Sequence, residues 1–210
     1  MDLMAVLGLG VAAATAASVW FAADRRLLRR IRRVAPWRID ELPEDRRGRI
    51  CGRVAPCGEL LRAPLTGRRC VFYRVRVVED DVAVLVEERG VPFVLDDGSG
   101  RAIVVPDFTE AALHHVQVGA ASAGIGINRR EAALLARHGQ APNDVVGPRA
   151  LAFEEALIAP DESITVVGQG TREPDTEALP ADPYRGAKPS RLRLASSPRH
   201  PLLITDEVIG

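Results

Sequence analysis

The chain has 210 residues with 28 Lys plus Arg against 28 Asp plus Glu, 47% hydrophobic residues and three cysteines. An odd cysteine count excludes a complete disulfide framework, and a net charge of zero gives no overall basic field for holding nucleic acid. The balance is uneven along the chain, because residues 34–210 carry 22 Lys plus Arg and 26 Asp plus Glu, a net of −4. The positive charge is gathered near the start.

Leu3 to Ala23 form an uncharged run of 21 residues, eight of them alanine. As a helix rising about 1.5 Å per residue it spans about 31 Å, the thickness of a hydrocarbon core of about 30 Å, with Trp20 and Phe21 at interfacial depth. The run predicts a single transmembrane helix, and Arg25, Arg26, Arg29, Arg30, Arg32 and Arg33 after it predict a stop at the lipid head groups. By the positive-inside rule the bulk of the chain faces the cytoplasm, placing it at the inner cell membrane as a single-pass protein. Ala12-Ala13-Ala14 offers a rival reading as a signal-peptidase site, but a signal peptide carries its positive charge before the apolar run, where this chain has Asp2. Gly8 with Ala12 and Gly10 with Ala14 have the small-xxx-small spacing of helix pairs, a route to homo-oligomers through the anchor. Residues 1–34 are thus read as anchor and stop, 35–46 (with Pro36 and Pro43 among charges) as a linker, and 47–207 as one domain.

Within the domain, Arg49–Val54 alternates as a strand, and Pro64 with Thr66-Gly67 makes a turn. Cys70–Val78 follows as the longest strand, with Val71, Tyr73, Val75 and Val77 on one face and Phe72, Arg74 and Arg76 on the other. Those arginines need polar partners. Val82–Val86 and Pro92–Leu95 continue the pattern, and Asp96 to Gly100 (DDGSG) turns the chain into Ala102–Val105. An Ala-, Gly- and His-rich stretch precedes a helix over Arg129–His138, stopped by Gly139. Strands are predicted at Ala150–Leu157, Ser163–Val167, Leu192–Ala195 and Leu202–Thr205, with a long proline-rich loop from Glu173 to Ser190. The pattern predicts a mainly β fold, a small antiparallel barrel or sandwich with one short inserted helix.

The spacing C-x5-C-x12-C of Cys51, Cys57 and Cys70 lacks the tight pairs of a zinc site, so no metal is expected there. Asp96 and Asp97 fall short of the oxygen count that calcium prefers and are read as turn chemistry. Gly168 and Gly170 are read as bend residues, because no helix start follows them to make a phosphate cradle. His114, His115, His138 and His200 stand in no recognisable nucleophile–base arrangement, so no catalytic residue and no cofactor is assigned.

Four blocks together resemble the GIDE domain, also called the BAM or "beside a membrane" domain, of the mitochondrial membrane-anchored ubiquitin ligases and their bacterial homologues. They are Leu61–Val77 (LRAPLTGRRCVFYRVRV), Pro92–Pro106 (PFVLDDGSGRAIVVP), Glu154–Gly170 (EEALIAPDESITVVGQG) and Pro201–Asp206 (PLLITD). The resemblance implies an OB-like barrel beside a membrane helix, with Pro64, Gly67, Cys70, Tyr73, Asp97, Gly100 and Gly168 as motif positions of structural kind. The ligases also carry a RING with paired Cys and His ligands. That pattern is missing from these 210 residues, so ubiquitin transfer is not expected of them. The leading expectation is a non-enzymatic binding or scaffolding module at the cytoplasmic membrane face, with a role in membrane stress by analogy. The alternatives are a transferase component acting with a separate catalytic protein, or an OB-like nucleic-acid binder, which the acidic domain disfavours.

Overall fold

The computed structural model describes residues 22–80, 82–122, 126–140, 150–175 and 190–209. They form thirteen strands and two helices: α1 (22–32), β1 (Gly48–Pro56), β2 (Leu61–Arg62), β3 (Arg69–Cys70), β4 (Phe72–Glu79), β5 (Val82–Gly90), β6 (Phe93–Asp96), β7 (Arg101–Val104), β8 (Thr109–Ala112), β9 (Val116–Ser122), α2 (Arg129–Arg137), β10 (Ala150–Ile158), β11 (Ser163–Pro174), β12 (Ser190–Ala195) and β13 (Leu202–Thr205). The fold is mainly β, as the alternating strands predict.

The main sheet has the order β1-β6-β7-β12-β11-β13-β8, and β1 also pairs with β11. That extra pairing closes β1, β6, β7, β12 and β11 into a ring of five strands. All pairs around the ring are antiparallel except β7 with β12, which is parallel. β12 and β13 lie in succession along β11, Ala195 opposite Gln169 and Leu203 opposite Val167. β7 and β8 run beside β12 and β13 in the same parallel sense. The ring encloses one core, in which Ile50, Phe93, Leu95, Ile164, Leu192 and Leu202 are fully buried.

A second sheet, in the order β5-β4-β10-β9, arises from two insertions that meet far from each other in sequence. Its own core joins Val75, Val77, Leu85 and Phe153 to Leu134 and Leu135 of α2. Phe72, Ala156 and Ile158, at the ends of β4 and β10, belong instead to the barrel core, so the two layers are continuous. The parallel β7–β12 and β8–β13 pairs depart from the antiparallel arrangement expected, and the helix-covered sheet lies beside the closed ring. The helix begins where the sequence places it because Asn128 caps it, its side chain accepting from the backbone of Arg130 (2.9 Å) and Glu131 (3.1 Å) while Glu131 returns a bond to the Asn128 N–H. Gly139, at φ +70°, ends it.

Three expectations are corrected. Residues 35–45 are no free linker, because Ile39 and Leu42 are buried in the barrel core and Trp37 packs against it. Arg172 Nη2 donates to the carbonyls of Ile39 (2.7 Å), Asp40 (3.0 Å) and Leu42 (3.3 Å), clamping this segment like a strap. β8 and β9 occupy the stretch read as irregular, and β11 and β12 reach Pro174 and back to Ser190, into the segment read as a loop. Residues 176–189, the middle of that loop, lie outside the described residues. So do residues 1–21, which hold all but the last two residues of the proposed membrane span. Among the described residues no helix is long and apolar enough to cross a membrane.

Candidate functional site

The motif positions lie at turns and packing contacts of the fold. Asp97 Oδ1 accepts from the Ser99 N–H (2.8 Å), the Ser99 hydroxyl (2.6 Å) and the Gly100 N–H (3.1 Å), while Oδ2 accepts from the Ile39 N–H (2.8 Å). One carboxylate thus shapes the β6–β7 turn and pins the strap. Burial pushes its pKa up, but the hydrogen bonds from Ser99, Ile39 and Gly100 outweigh that and hold it below the ordinary 3.8. Asp97→Ala removes both acceptor oxygens and so all four bonds, and is expected to cost about 2 kcal/mol, read as a lower urea midpoint, with hydrogen-exchange protection lost first at residues 37–42.

Pro64 and Gly67 lie in the turn between β2 and β3. There the buried Glu155 carboxylate accepts from the backbone of Leu65 (2.7 Å) and Thr66 (3.1 Å). Gly67 sits at φ +73° under the Arg130 guanidinium, a conformation and a closeness that a Cβ would not allow. Cys70 is fully buried, and burial with the nearby Glu155 charge pushes its thiol up to about 11, so it stays protonated at neutral pH. Tyr73 donates to Glu87 at 2.6 Å, and Glu87 also meets His138 Nε2 (2.7 Å) and Arg137 Nη2 (3.2 Å), tying the end of α2 to the sheet. Gly100 faces Ile39 of the strap, and Gly168 faces Leu202. All three cysteines are free thiols.

The six arginines are exposed on α1 and the residues just after it, while Leu27 and Ile31 from the opposite side of that helix are buried against Ala112, Val167 and Leu203. The spacing of four puts both apolar side chains on one face. Arg30 pairs with Glu110 of β8 and Arg32 with Glu207 (3.1 Å), so the helix is fixed to the barrel at two further points. Arg26 Nε donates to the Ala22 carbonyl (3.1 Å). Arg25, Arg29 and Arg33 complete the outward charged face.

Where α1 meets the two sheets lies a cleft of about 480 Å³ that no motif in the sequence announces. Asp24, Arg25 and Leu28 supply its helical wall, Ala112 to His115 the β8–β9 connection, Arg76 and Glu154 the second sheet, and Asp206 and Glu207 the chain after β13. Arg76 and Glu154 form an ion pair at 2.7 Å, and the buried Arg74 beneath them is bonded to Glu88 and to the Ala111 carbonyl (2.8 Å). These are the polar partners that the alternating arginines of β4 require. Asp206 accepts from the His114 N–H (2.7 Å). Burial raises the Asp24 carboxyl above the ordinary 3.8; Arg74 and Arg76 oppose that rise, and Asp206 adds to it.

His115 has its Nδ1 against the Leu113 carbonyl (3.0 Å), which leaves Nε2 as an acceptor, and that atom is buried without a partner among the described residues. Burial, reinforced by Arg76 and Arg74, lowers its pKa to about 3, so the ring is neutral at physiological pH. A folded-state pKa below the ordinary value of about 6.5 makes this contribution to stability complete above pH 6.5 and progressively lost as pH falls from there toward 3. Between pH 7.5 and 5 the loss is about 2 kcal/mol. His115→Asn is expected to flatten that part of the stability–pH curve, measured by urea titration at each pH.

The described residues hold no group of three or more His, Cys, Asp or Glu arranged to bind a metal. The cleft's chemistry is that of charges of both signs above an apolar floor of Leu28, Ala112 and Leu113. Compared with protein-family models, with curated proteins and with solved structures, the chain matches none of them.

Proposed function

We propose that the chain is a single-pass membrane protein whose N-terminal helix holds a non-enzymatic, OB-like binding domain of the GIDE kind against the cytoplasmic face of the inner membrane, where it recognises a protein partner. The observation that carries this reading is α1, which carries the chain from the end of the uncharged run onto the barrel and is locked there through Leu27 and Ile31 with its arginines outward. A juxtamembrane helix bound to its domain places that domain at the bilayer without slack, and outward arginines face the anionic surface that attracts them. The five-membered strand ring, closed by β1 on β11, supports the OB-like barrel.

The partner-facing surface is the open edge of the second sheet. β5 has no strand on its outer side among the described residues, and Val82, Val84 and Val86 along it are 50%, 39% and 40% exposed. Such an edge takes up an extended segment by strand addition. In-cell photo-crosslinking from positions 84 and 86 tests this. A partner that stays bound in detergent and is lost in the Val84→Glu/Val86→Glu variant supports the reading; a pattern unchanged by the variant refutes it.

A further inference from the structure

We infer that the cleft between α1, the β8–β9 connection and Asp206 is a binding site for the head group of an amine-bearing phospholipid. The inference deepens the membrane-anchor reading and rests on it.

Position is the first argument. Asp24 and Arg25 are the first charged residues after the run Leu3–Ala23, and both line the cleft. With the run in the hydrocarbon, α1 leaves the bilayer at Asp24, so the mouth of the cleft opens in the head-group layer rather than in bulk water. A phospholipid reaches it without leaving its leaflet.

Charge is the second. Glu154 is neutralised by Arg76 and Glu207 by Arg32, but Asp24 and Asp206 have no ion-pair partner within reach among the described residues. Burial raises the proton affinity of Asp24, and the Asp206 charge across the cleft adds to that rise against the opposing Arg74 and Arg76. Arg25 at the rim supplies the opposite sign, with Arg26 and Arg29 exposed next to it on the same helix. A zwitterion with an ammonium end and a phosphate end answers both: the ammonium sits between the carboxylates, and the phosphate meets the arginines.

The walls are the third. The volume of about 480 Å³ is that of a small-molecule site, and Leu28, Ala112 and Leu113 give it an apolar floor suited to methylene groups. A primary ammonium has three donors for the two carboxylates, whereas a quaternary ammonium has none.

The full chain reconstituted in nanodiscs tests this, with bilayers of choline lipid alone, choline with ethanolamine lipid, and choline with glycerol lipid. Lipids retained by the protein are identified by native mass spectrometry, and hydrogen exchange is followed at residues 112–115 and 206–207. The expected result is selective retention of ethanolamine lipid with slowed exchange at both segments, weakened about tenfold in Asp24→Asn/Asp206→Asn. Asp24 and Asp206 are half-buried at the rim, so the variant keeps its fold, checked by an unchanged melting temperature. Equal retention of glycerol and ethanolamine lipids, or retention unaffected by the variant, overturns the head-group site while leaving the anchor intact. Failure of the chain to enter any of the bilayers refutes the anchor reading itself.

Discussion

Replacing Ile31 by aspartate is expected to detach α1 from the barrel while leaving the barrel folded. Ile31 is fully buried between α1 and the β8, β11 and β13 strands, packed with Leu27, Ala112, Val167 and Leu203. Losing the aliphatic side chain costs about 2–5 kcal/mol, and an unpaired carboxylate in its place adds several more. The helix escapes that cost by leaving the surface. The barrel core does not include Ile31, so its strands retain their packing. Hydrogen exchange should show protection lost over residues 22–34 and kept in β1 and β11, whereas Ile31→Leu should behave as the parent. Loss of protection throughout the chain would show instead that α1 is part of the folding unit, and unchanged protection at 22–34 would show that the contact is weak.

Gly170→Ala should be the most destabilising methyl group that can be added at a described glycine of the domain, because it strikes backbone atoms that cannot turn aside. A Cβ on Gly170 would lie 2.1 Å from the Arg193 carbonyl oxygen and 2.8 Å from its carbonyl carbon. Both are backbone atoms of β12, the strand linking β7 to β11, so relief requires opening the ring. The expected cost is about 3 kcal/mol or more, a fall in melting temperature of about 10 °C for a chain of this size. Gly168→Ala makes the contrast, because its Cβ would meet Leu202 Cδ2 at 2.6 Å, the far end of a side chain that can turn aside. A smaller loss at 168 than at 170, by calorimetry, is the result this geometry predicts. The two glycines are read from the sequence as bend residues, yet the strand runs straight through both to Pro174, and what they provide is close approach of neighbouring chain.

The strands with regular alternation were legible because side-chain period reports a half-buried surface whatever the partner strand is. Residues 70–78 are of this kind, whereas 163–167 and 202–205 were legible as short apolar runs and, Ser163 apart, are buried on both faces. β9 was hidden because Gly119, Ala120 and Ala121 carry little strand propensity, and only its pairing with β10 holds them extended. The second sheet was hidden for a related reason: β4 meets β10 through Val77 and Phe153, 76 residues apart, and no local signal encodes that register. The strap was masked by its prolines and charges, although Trp37, Ile39 and Leu42 carry the apolar surface that buries it. The cleft collects side chains from five parts of the chain, so no spacing rule could assemble it. The arginine cluster was legible as charge, but the ion pairs of Arg30 with Glu110 and of Arg32 with Glu207 depend on where β8 and the chain end fall.

The placement of the domain is tested most directly by its own Cys57, the one exposed cysteine of the three. Intact bacterial cells expressing the full chain are treated with a membrane-impermeant maleimide before and after permeabilisation, and the membranes are washed with alkaline carbonate. A domain held on the cytoplasmic face predicts that Cys57 is labelled only after permeabilisation and that the chain remains with the washed membranes. Labelling of Cys57 in intact cells, or release of the chain by carbonate, would contradict it.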